Sequence, residues 1–241
     1  MIHDNVLITH ELVHYLQSVK NGPNKGFVIK LDMSKAYDRV ESNFIEKVMK
    51  RMGYAEAWVT KIMSCVHSVR YMVKCNLTLS NTIVPGRGLR QGDPLSPYLF
   101  LFCMEAFSKM LIQAQNNNKI KGIRSSINGP RINHLFFADN TLLFIRNKNK
   151  DVEEMVNILM KFSGVSGQKI NDDKSMIMFS QKNPLVQRHL FCLKLRMRMV
   201  DQLDNYLGLP LPIGRKKSLT FTNILDQCDC RINGWLKRLL S

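Results

Sequence analysis

The run Ile132-Asn-His-Leu-Phe-Phe-Ala-Asp-Asn-Thr-Leu-Leu-Phe-Ile145 decides how the rest of the chain is read. Two β-prone segments, 132–137 and 141–145, flank the short polar link Ala138-Asp139-Asn140, the pattern of a hairpin whose turn displays a carboxylate. A second β-prone run, Phe27-Val-Ile-Lys-Leu-Asp-Met33, follows the turn-forming Asn21-Gly-Pro-Asn-Lys-Gly26 and carries Asp32 near its C-terminal end. Together they predict a central sheet with one aspartate at a strand end and another at a turn.

Helical periods surround these strands. Apolar residues at 12, 13, 16 and 19, with Leu7 and Ile8 before them, predict a helix over Asn5 to Lys20. Ser42 is placed to cap a helix carrying Phe44, Ile45, Val48, Met49 and Met52 that ends at Gly53. Another helix is expected around Trp58 to Cys65. Alternation at Tyr71, Val73, Cys75 and Leu77, with a return over Leu79 to Val84, reads as a hairpin leading into the loop Gly86 to Pro94. A strongly apolar helix is expected over Ser96 to Gln115, an amphipathic one through Val152, Met155, Val156, Leu159 and Met160 ending at Gly164, and a strand over Ser175 to Ser180. Beyond Gln187 the pattern weakens. With no internal repeat or linker, the chain reads as one mixed α+β unit.

At 241 residues, 45% apolar and 22% charged, the composition is that of a folded domain, and the net charge of +16 points to a polyanionic partner. The longest unbroken apolar run, Tyr98 to Met104, has seven residues against the roughly 20 needed to cross a bilayer, so no membrane partner is expected. The first residues lack a basic segment followed by an apolar one, and an intracellular location, nuclear or cytoplasmic, is expected. The six cysteines form no Cys-x-x-Cys pair; Cys228-Asp-Cys230, without a second pair or nearby His, reads as ordinary thiols. Residues 187–241 hold ten Lys and Arg against four Asp, a basic surface that either faces duplex phosphates or is merely solvated.

Asp32 and Asp139, if they converge on one edge of the sheet, supply hard oxygen ligands for a pair of Mg²⁺ ions. Spacing alone carries little weight, because strand-end and turn aspartates are common. The surrounding segments change this. Leu31-Asp-Met-Ser-Lys-Ala-Tyr-Asp-Arg-Val40, Gly88-Leu-Arg-Gln-Gly-Asp-Pro-Leu-Ser-Pro97 and His134-Leu-Phe-Phe-Ala-Asp139 resemble, in order, motifs A, B and C of reverse transcriptases. Gly167-Gln-Lys-Ile-Asn171 to Lys174-Ser175 is similar to motif D, Tyr206-Leu-Gly-Leu-Pro210 to the primer-grip region, and Asp4-Asn-Val-Leu-Ile8 to the segment before motif A. The run Arg-Gln-Gly-Asp-Pro-Leu-Ser-Pro is typical of the LINE branch, and the likeness is to plant non-LTR retrotransposons of that type.

The resemblance implies a right-hand polymerase palm with partial fingers over about 1–210 and the start of a thumb over about 211–241. It implies RNA-templated DNA synthesis on an RNA template and DNA primer from deoxynucleoside triphosphates, with two Mg²⁺ ions, or Mn²⁺ in their place. Asp32, Asp139 and the Met33 carbonyl would hold the metals. Tyr37 would be the steric gate against a 2′-OH. Arg90, Gln91 and Gly92 would meet nucleotide or template, Tyr206, Leu207 and Gly208 the primer, and Lys174 would protonate pyrophosphate. Outside the resemblance, Tyr37 reads equally well as a packed aromatic and Arg90 and Lys174 as solvated cations. Asp93 and Ser96 are expected to cap the following helix, and Asp38 reads as a helix-start carboxylate rather than a ligand.

Two departures stand out. The family carries Ala-Asp-Asp at motif C, where this chain reads Ala138-Asp139-Asn140, so the metal site loses a full negative charge and activity is expected to be strongly reduced or absent. The family's basic fingers motifs precede motif A at greater length than the 31 residues before Asp32, which reads as a truncated copy. A non-catalytic nucleic-acid-binding remnant, or a fragment without function, is the alternative reading.

Overall fold

The computed structural model describes residues 2–18, 26–126, 128–203, 205–209, 211, 225–226 and 228–233. Thirteen elements follow one another: α1 (Ile2–Ser18), β1 (Phe27–Leu31), α2 (Ser42–Arg51), α3 (Glu56–His67), β2 (Lys74–Cys75), β3 (Thr78–Leu79), α4 (Ser96–Asn116), β4 (His134–Phe137), β5 (Asn140–Ile145), α5 (Asn149–Ser166), β6 (Met176–Phe179), α6 (Leu185–Leu195) and β7 (Arg198–Val200). Five strands form one sheet in the order β4-β5-β1-β6-β7, and β2 and β3 make a separate two-stranded ribbon. All pairs in the large sheet are antiparallel except β6 with β7.

The sheet has a core on each face, and the alternation of side chains along its central strands assigns them. Phe27, Ile29 and Leu31 of β1, Leu143 and Ile145 of β5, and Ile177 and Phe179 of β6 pack with α2, α4 and α5. Val28, Leu142, Phe144, Met176 and Met178 face the other way, onto Leu12, Val13 and Leu16 of α1 and onto Leu203 and Tyr206. Each such fully buried side chain contributes roughly 1.5–3 kcal/mol. Burial on both faces, at four of the five positions of β1 and five of the six of β5, explains why the two strands are nearly continuous apolar runs.

Several expected boundaries shift. Ser42 is the first helical residue of α2 and caps nothing; the residue before it, Glu41, makes no side-chain cap, and its N–H donates to the Ser166 carbonyl at 3.0 Å. The amphipathic helix does not stop at Gly164. It runs to Ser166 and ends at Gly167, whose φ of 77° is the left-handed cap. Asn140 belongs to β5, paired with Phe137, so the motif C turn consists of Ala138 and Asp139 alone, with Ala138 at φ 51°. Where the pattern weakened, α6 and β7 form, β7 parallel to β6. The expected thumb lies outside the described residues apart from Leu211, 225–226 and 228–233. No helix among the described residues is long and apolar enough to cross a membrane.

Candidate active site at the sheet edge

The ladder between β1 and β5 ends at Leu31 opposite Thr141, and Asp32 and Asn140 are the residues that follow at that end of the two strands. Residues 28, 30, 32 on β1 and 140, 142, 144 on β5 share a face by the period of two, which is the α1 face. Asp139 lies in the adjoining turn between Phe137 and Asn140. Asp139 is exposed and Asp32 and Asn140 are partly so. Asn140 Nδ2 stands 3.4 Å from Asp139 Oδ1, so an amide rather than a second carboxylate adjoins Asp139.

Asp32 is held through its backbone. Its N–H donates to Ser175 Oγ at 3.0 Å, and its carbonyl accepts from the Asn171 N–H at 2.9 Å and lies 3.4 Å from the same Ser175 hydroxyl. Ser34 N–H donates to the Lys169 carbonyl at 2.8 Å, which closes an antiparallel bridge of Met33 with Ile170. Because successive carbonyls alternate sides, the Met33 carbonyl is turned away from that bridge. Gln168 adds a bond from Nε2 to the Ala36 carbonyl at 2.7 Å. Ser175 and Gln168 were not singled out from sequence; both are buried polar residues, at 0% and 3% exposure.

Ser175→Ala should therefore strand the Asp32 N–H, at a cost of about 1–3 kcal/mol. The expected result is a several-fold loss of Mn²⁺ affinity, restored by Ser175→Thr and not seen in Ser180→Ala, whose buried hydroxyl lacks a partner among the described residues. Unchanged metal affinity in Ser175→Ala would remove this positioning role.

Motif B is joined to motif A by main chain. Gly88 N–H donates to the Val40 carbonyl at 2.9 Å and Leu89 N–H to the Tyr37 carbonyl at 2.8 Å. Gly88 adopts φ 95°, and a β-carbon there would lie 2.9 Å from the Asp38 carbonyl oxygen, so its close approach is to motif A backbone. The Tyr37 ring, half-buried, stacks on Phe100 of α4 with centroids 4.8 Å apart. Arg90, Gln91 and Gly92 are exposed on the loop. Asp93 Oδ1 accepts the Leu95 N–H at 2.8 Å, which supports the turn into α4, whereas Ser96 is already helical and caps nothing. Lys174 is exposed on the loop that holds Asp32.

The primer-grip segment forms a tight turn over the α1 face. Tyr206 and Leu209 exchange backbone hydrogen bonds of 2.7 and 3.0 Å, with Leu207 at φ 51° and Gly208 at φ 80° between them, the pattern of a type I′ turn. Lys30 Nζ donates to the Asn205 carbonyl at 2.9 Å and ties this turn to the strand that ends at Asp32. The Tyr206 ring is buried at 1% exposure, and burial pushes its hydroxyl up to about 12, slightly offset by Thr9. The residue expected at the primer therefore anchors the turn, and Leu207 and Gly208 are its presented tip.

Behind the motif C strand, His134 lies between Ser108 and Asn133. Asn133 Nδ2 donates to the Leu111 carbonyl, which turns Oδ1 to His134 Nδ1, so Nδ1 carries the proton and Nε2 accepts from Ser108 Oγ at 2.9 Å. Burial pushes this imidazole down to about 4, opposed weakly by Glu105. A depressed value means that the folded state binds fewer protons. Stability is fully present above pH 6.5 and falls as pH drops from there toward 4, by up to roughly 3 kcal/mol. Urea unfolding at pH 7 and pH 4.5 should show that His134→Gln flattens this loss; an identical pH dependence in the variant would refute it.

Asp32 and Asp139 carry hard oxygen donors of the kind that divalent cations such as Mg²⁺ take, Asp139 exposed and Asp32 partly so, whereas Met33, whose carbonyl is the third expected donor, is buried at 8% exposure. The set is one carboxylate short: among the described residues no three His, Cys, Asp or Glu gather as a metal cluster. Cys228 and Cys230 are exposed free thiols.

Residues 2–211 match the family described as reverse transcriptase (RNA-dependent DNA polymerase). A mitochondrial protein of Arabidopsis thaliana is 59% identical over 59 residues, 24% of this chain and 48% of that protein. A 149 kDa transposon protein of Xenopus laevis is 26% identical over 174 residues, 72% of this chain and 13% of its own length. A retrovirus-related Pol polyprotein from a type-2 retrotransposable element of Drosophila melanogaster is 26% identical over 148 residues, 61% of this chain and 13% of that one. The chain thus spans less than half the length of each of these relatives. Among solved structures, telomerase from Candida tropicalis in complex with a fragment of telomeric RNA superposes with a TM-score of 0.56 at 15% identity, covering 87% of this chain and 31% of that one. That likeness shows the fold, a polymerase palm with part of the fingers.

Proposed function

Because the chain belongs to the reverse transcriptase (RNA-dependent DNA polymerase) family, we propose that the sheet edge at Asp32 and Asp139 is the centre of RNA-templated DNA synthesis, weakened in this sequence by Asn140. The observation that supports this is the register: the β1–β5 ladder runs to Leu31 opposite Thr141, and the motif A aspartate and the motif C turn are the next residues at that end of the two strands. The Arg-Gln-Gly-Asp-Pro-Leu-Ser-Pro run and the retrotransposon relatives support the LINE branch of non-LTR elements. The partners are then an RNA template, a DNA primer and deoxynucleoside triphosphates.

Asp32, Asp139 and the Met33 carbonyl would hold two Mg²⁺ ions, or Mn²⁺. When bound there, divalent ions would supply Lewis-acid activation of the primer 3′-OH and charge neutralisation for the leaving pyrophosphate. The chain's own residues do the rest. Ser175 and Asn171 fix the Asp32 backbone, so its carboxylate needs little reorganisation when charge develops. The Tyr37 ring, fixed against Phe100, is the gate to the sugar 2′ position. Arg90 and Gln91 donate hydrogen bonds to nucleotide or template from the exposed motif B loop. Leu207 and Gly208 present the turn that supports the primer, and Lys174 is the proton donor for pyrophosphate.

Primer extension on an RNA template tests the reading. The unmodified chain should incorporate deoxynucleotides weakly, and Asp32→Ala should abolish the remainder. Incorporation that survives Asp32→Ala would sink it. Salt-sensitive RNA binding with no incorporation even in Asn140→Asp would favour a non-catalytic nucleic-acid-binding domain, the second reading that Asn140 itself recommends.

A further inference from the structure

The hydrogen-bonded group Ser108, His134 and Asn133 has no use in the chemistry above. A serine inside a helix commonly returns its hydroxyl to the carbonyl four residues back, and two in this chain do so: Ser64 Oγ donates to the Thr60 carbonyl at 2.8 Å and Ser166 Oγ to the Phe162 carbonyl at 2.6 Å. Ser108, in the interior of α4, instead meets His134 Nε2 of β4 at 2.9 Å. The imidazole is fixed from behind. Asn133, 5% exposed, donates from Nδ2 to the Leu111 carbonyl at 3.2 Å and so presents Oδ1 to His134 Nδ1. The Phe136 ring packs against the imidazole with centroids 4.5 Å apart. The tautomer that results leaves Nε2 without a proton and ready to take one. A hydroxyl, a base within reach of it and an amide that orients the base make up the pattern of an activated nucleophile.

Nucleophile and base both open onto a cleft. Ser108 and His134 are half-buried and line a wide depression of about 590 Å³ between α4 and β4. Its walls are mostly apolar, formed by Tyr98, Leu101, Phe102, Met104, Leu135 and Phe136. Glu105, also in the lining, is ion-paired with Lys109 at 3.3 Å. A cleft of this volume admits a small organic ligand, and these walls select an apolar one with a single polar centre to meet Ser108.

We propose that Ser108 is an acyl-accepting nucleophile for activated esters of apolar carboxylic acids, with His134 as its base and Asn133 as the residue that positions the base. Ser108 Oγ attacks the ester carbonyl carbon while its proton passes to His134 Nε2. The bond from that carbon to the leaving oxygen then breaks, and the leaving oxygen takes the proton from Nε2. The products are O-acyl Ser108 and a free alcohol, with the imidazole neutral again. Burial keeps His134 neutral at pH 7 and also lowers its basicity, so the reaction is slow. The main-chain N–H groups around Ser108 are engaged within α4 rather than aimed at an oxyanion, so the acyl group stays on the serine. Nothing here depends on the polymerase reading, and Asp32→Ala should leave the reaction untouched.

Incubation of the full chain with p-nitrophenyl butyrate near pH 7, followed by peptide mass spectrometry, reads it directly. A butyryl group should appear on Ser108, while Ser64, exposed on α3 but bonded to its own helix, stays unlabelled. His134→Gln should slow labelling of Ser108 about a hundredfold, the scale of a positioned general base. The unmodified chain supplies an independent reading that no variant's folding can disturb: butyrate should label Ser108 faster than acetate, the reverse of their order in water, because the cleft takes up the longer chain. Labelling of Ser108 no faster than of Ser64 would overturn the proposal, as would a parental rate in His134→Gln. A preference for acetate would overturn it as well, since the cleft would then play no part.

Discussion

Asn140→Asp is expected to raise RNA-templated nucleotide incorporation by about a hundredfold, the scale of one well-placed electrostatic group in a transition state. The ladder ends at Leu31 opposite Thr141, and continuing its register by one step would set residue 140 against Asp32, so a carboxylate there should enter the group of oxygens around the proposed ions rather than a remote surface. At present the Asn140 amide N–H₂ faces Asp139 Oδ1 at 3.4 Å, and it brings a donor where a cation needs an acceptor. The change adds one negative charge on a partly exposed face and no bulk, so folding should be indifferent to it. Primer extension with Mg²⁺ and with Mn²⁺ is the measurement. Asp32→Ala in the same background should return incorporation to zero. A gain below about threefold, in a chain whose metal affinity does rise, would show that motif C is not what limits this sequence.

Gly167→Ala should have the largest effect on stability, a loss of about 3 kcal/mol or more. Its φ of 77° is strained for any side chain, and a β-carbon there would stand 2.3 Å from the Arg39 carbonyl oxygen and 2.8 Å from Glu41 Cγ. The first of those neighbours is backbone and has nowhere to go. Relief would pull the end of α5 off motif A, breaking the Glu41 N–H to Ser166 bond of 3.0 Å and loosening Gln168 from Ala36. For a chain of this size the loss corresponds to roughly 6–12 °C in Tm. Gly164→Ala is the control: it lies inside α5 with no heavy atom within 4 Å of an added β-carbon, and it should stabilise by about 0.5–1 kcal/mol. A Gly167→Ala chain that melts within 2 °C of the parent would contradict the seam between motifs A and D.

That pair of glycines also shows where sequence reading stops. Both end an amphipathic pattern plausibly, and only the position of Arg39 in space says which one is the cap. The strands were legible because burial on two faces leaves nearly unbroken apolar runs, Phe27 to Leu31 with Lys30 as its one polar residue and Leu142 to Ile145, and the turn between motif C strands followed from a short polar link. Asp32 and Asp139 were legible as types and as motif positions, though the pairing of the strands that carry them depends on a register that no local pattern encodes. Ser175 and Gln168 were not legible as positioning groups, since their partners Asp32 and Ala36 lie 143 and 132 residues away in sequence. Tyr206 illustrates the converse: a motif match suggested contact with a primer, and packing against α1 buries the ring instead. The helix α6 was missed because its apolar face is narrow, with Phe191 and Leu195 buried while Leu185, Val186 and Leu193 stay exposed.

Titration of Mn²⁺ into the apo chain, followed by electron paramagnetic resonance of the free ion, tests the central claim most directly because it needs neither primer nor template. Asn140→Asp should bind Mn²⁺ at least tenfold more tightly than the unmodified chain, about 1.4 kcal/mol, and Asp32→Ala should bind it at least tenfold more weakly. Equal affinities across the three chains would contradict a metal centre at this sheet edge.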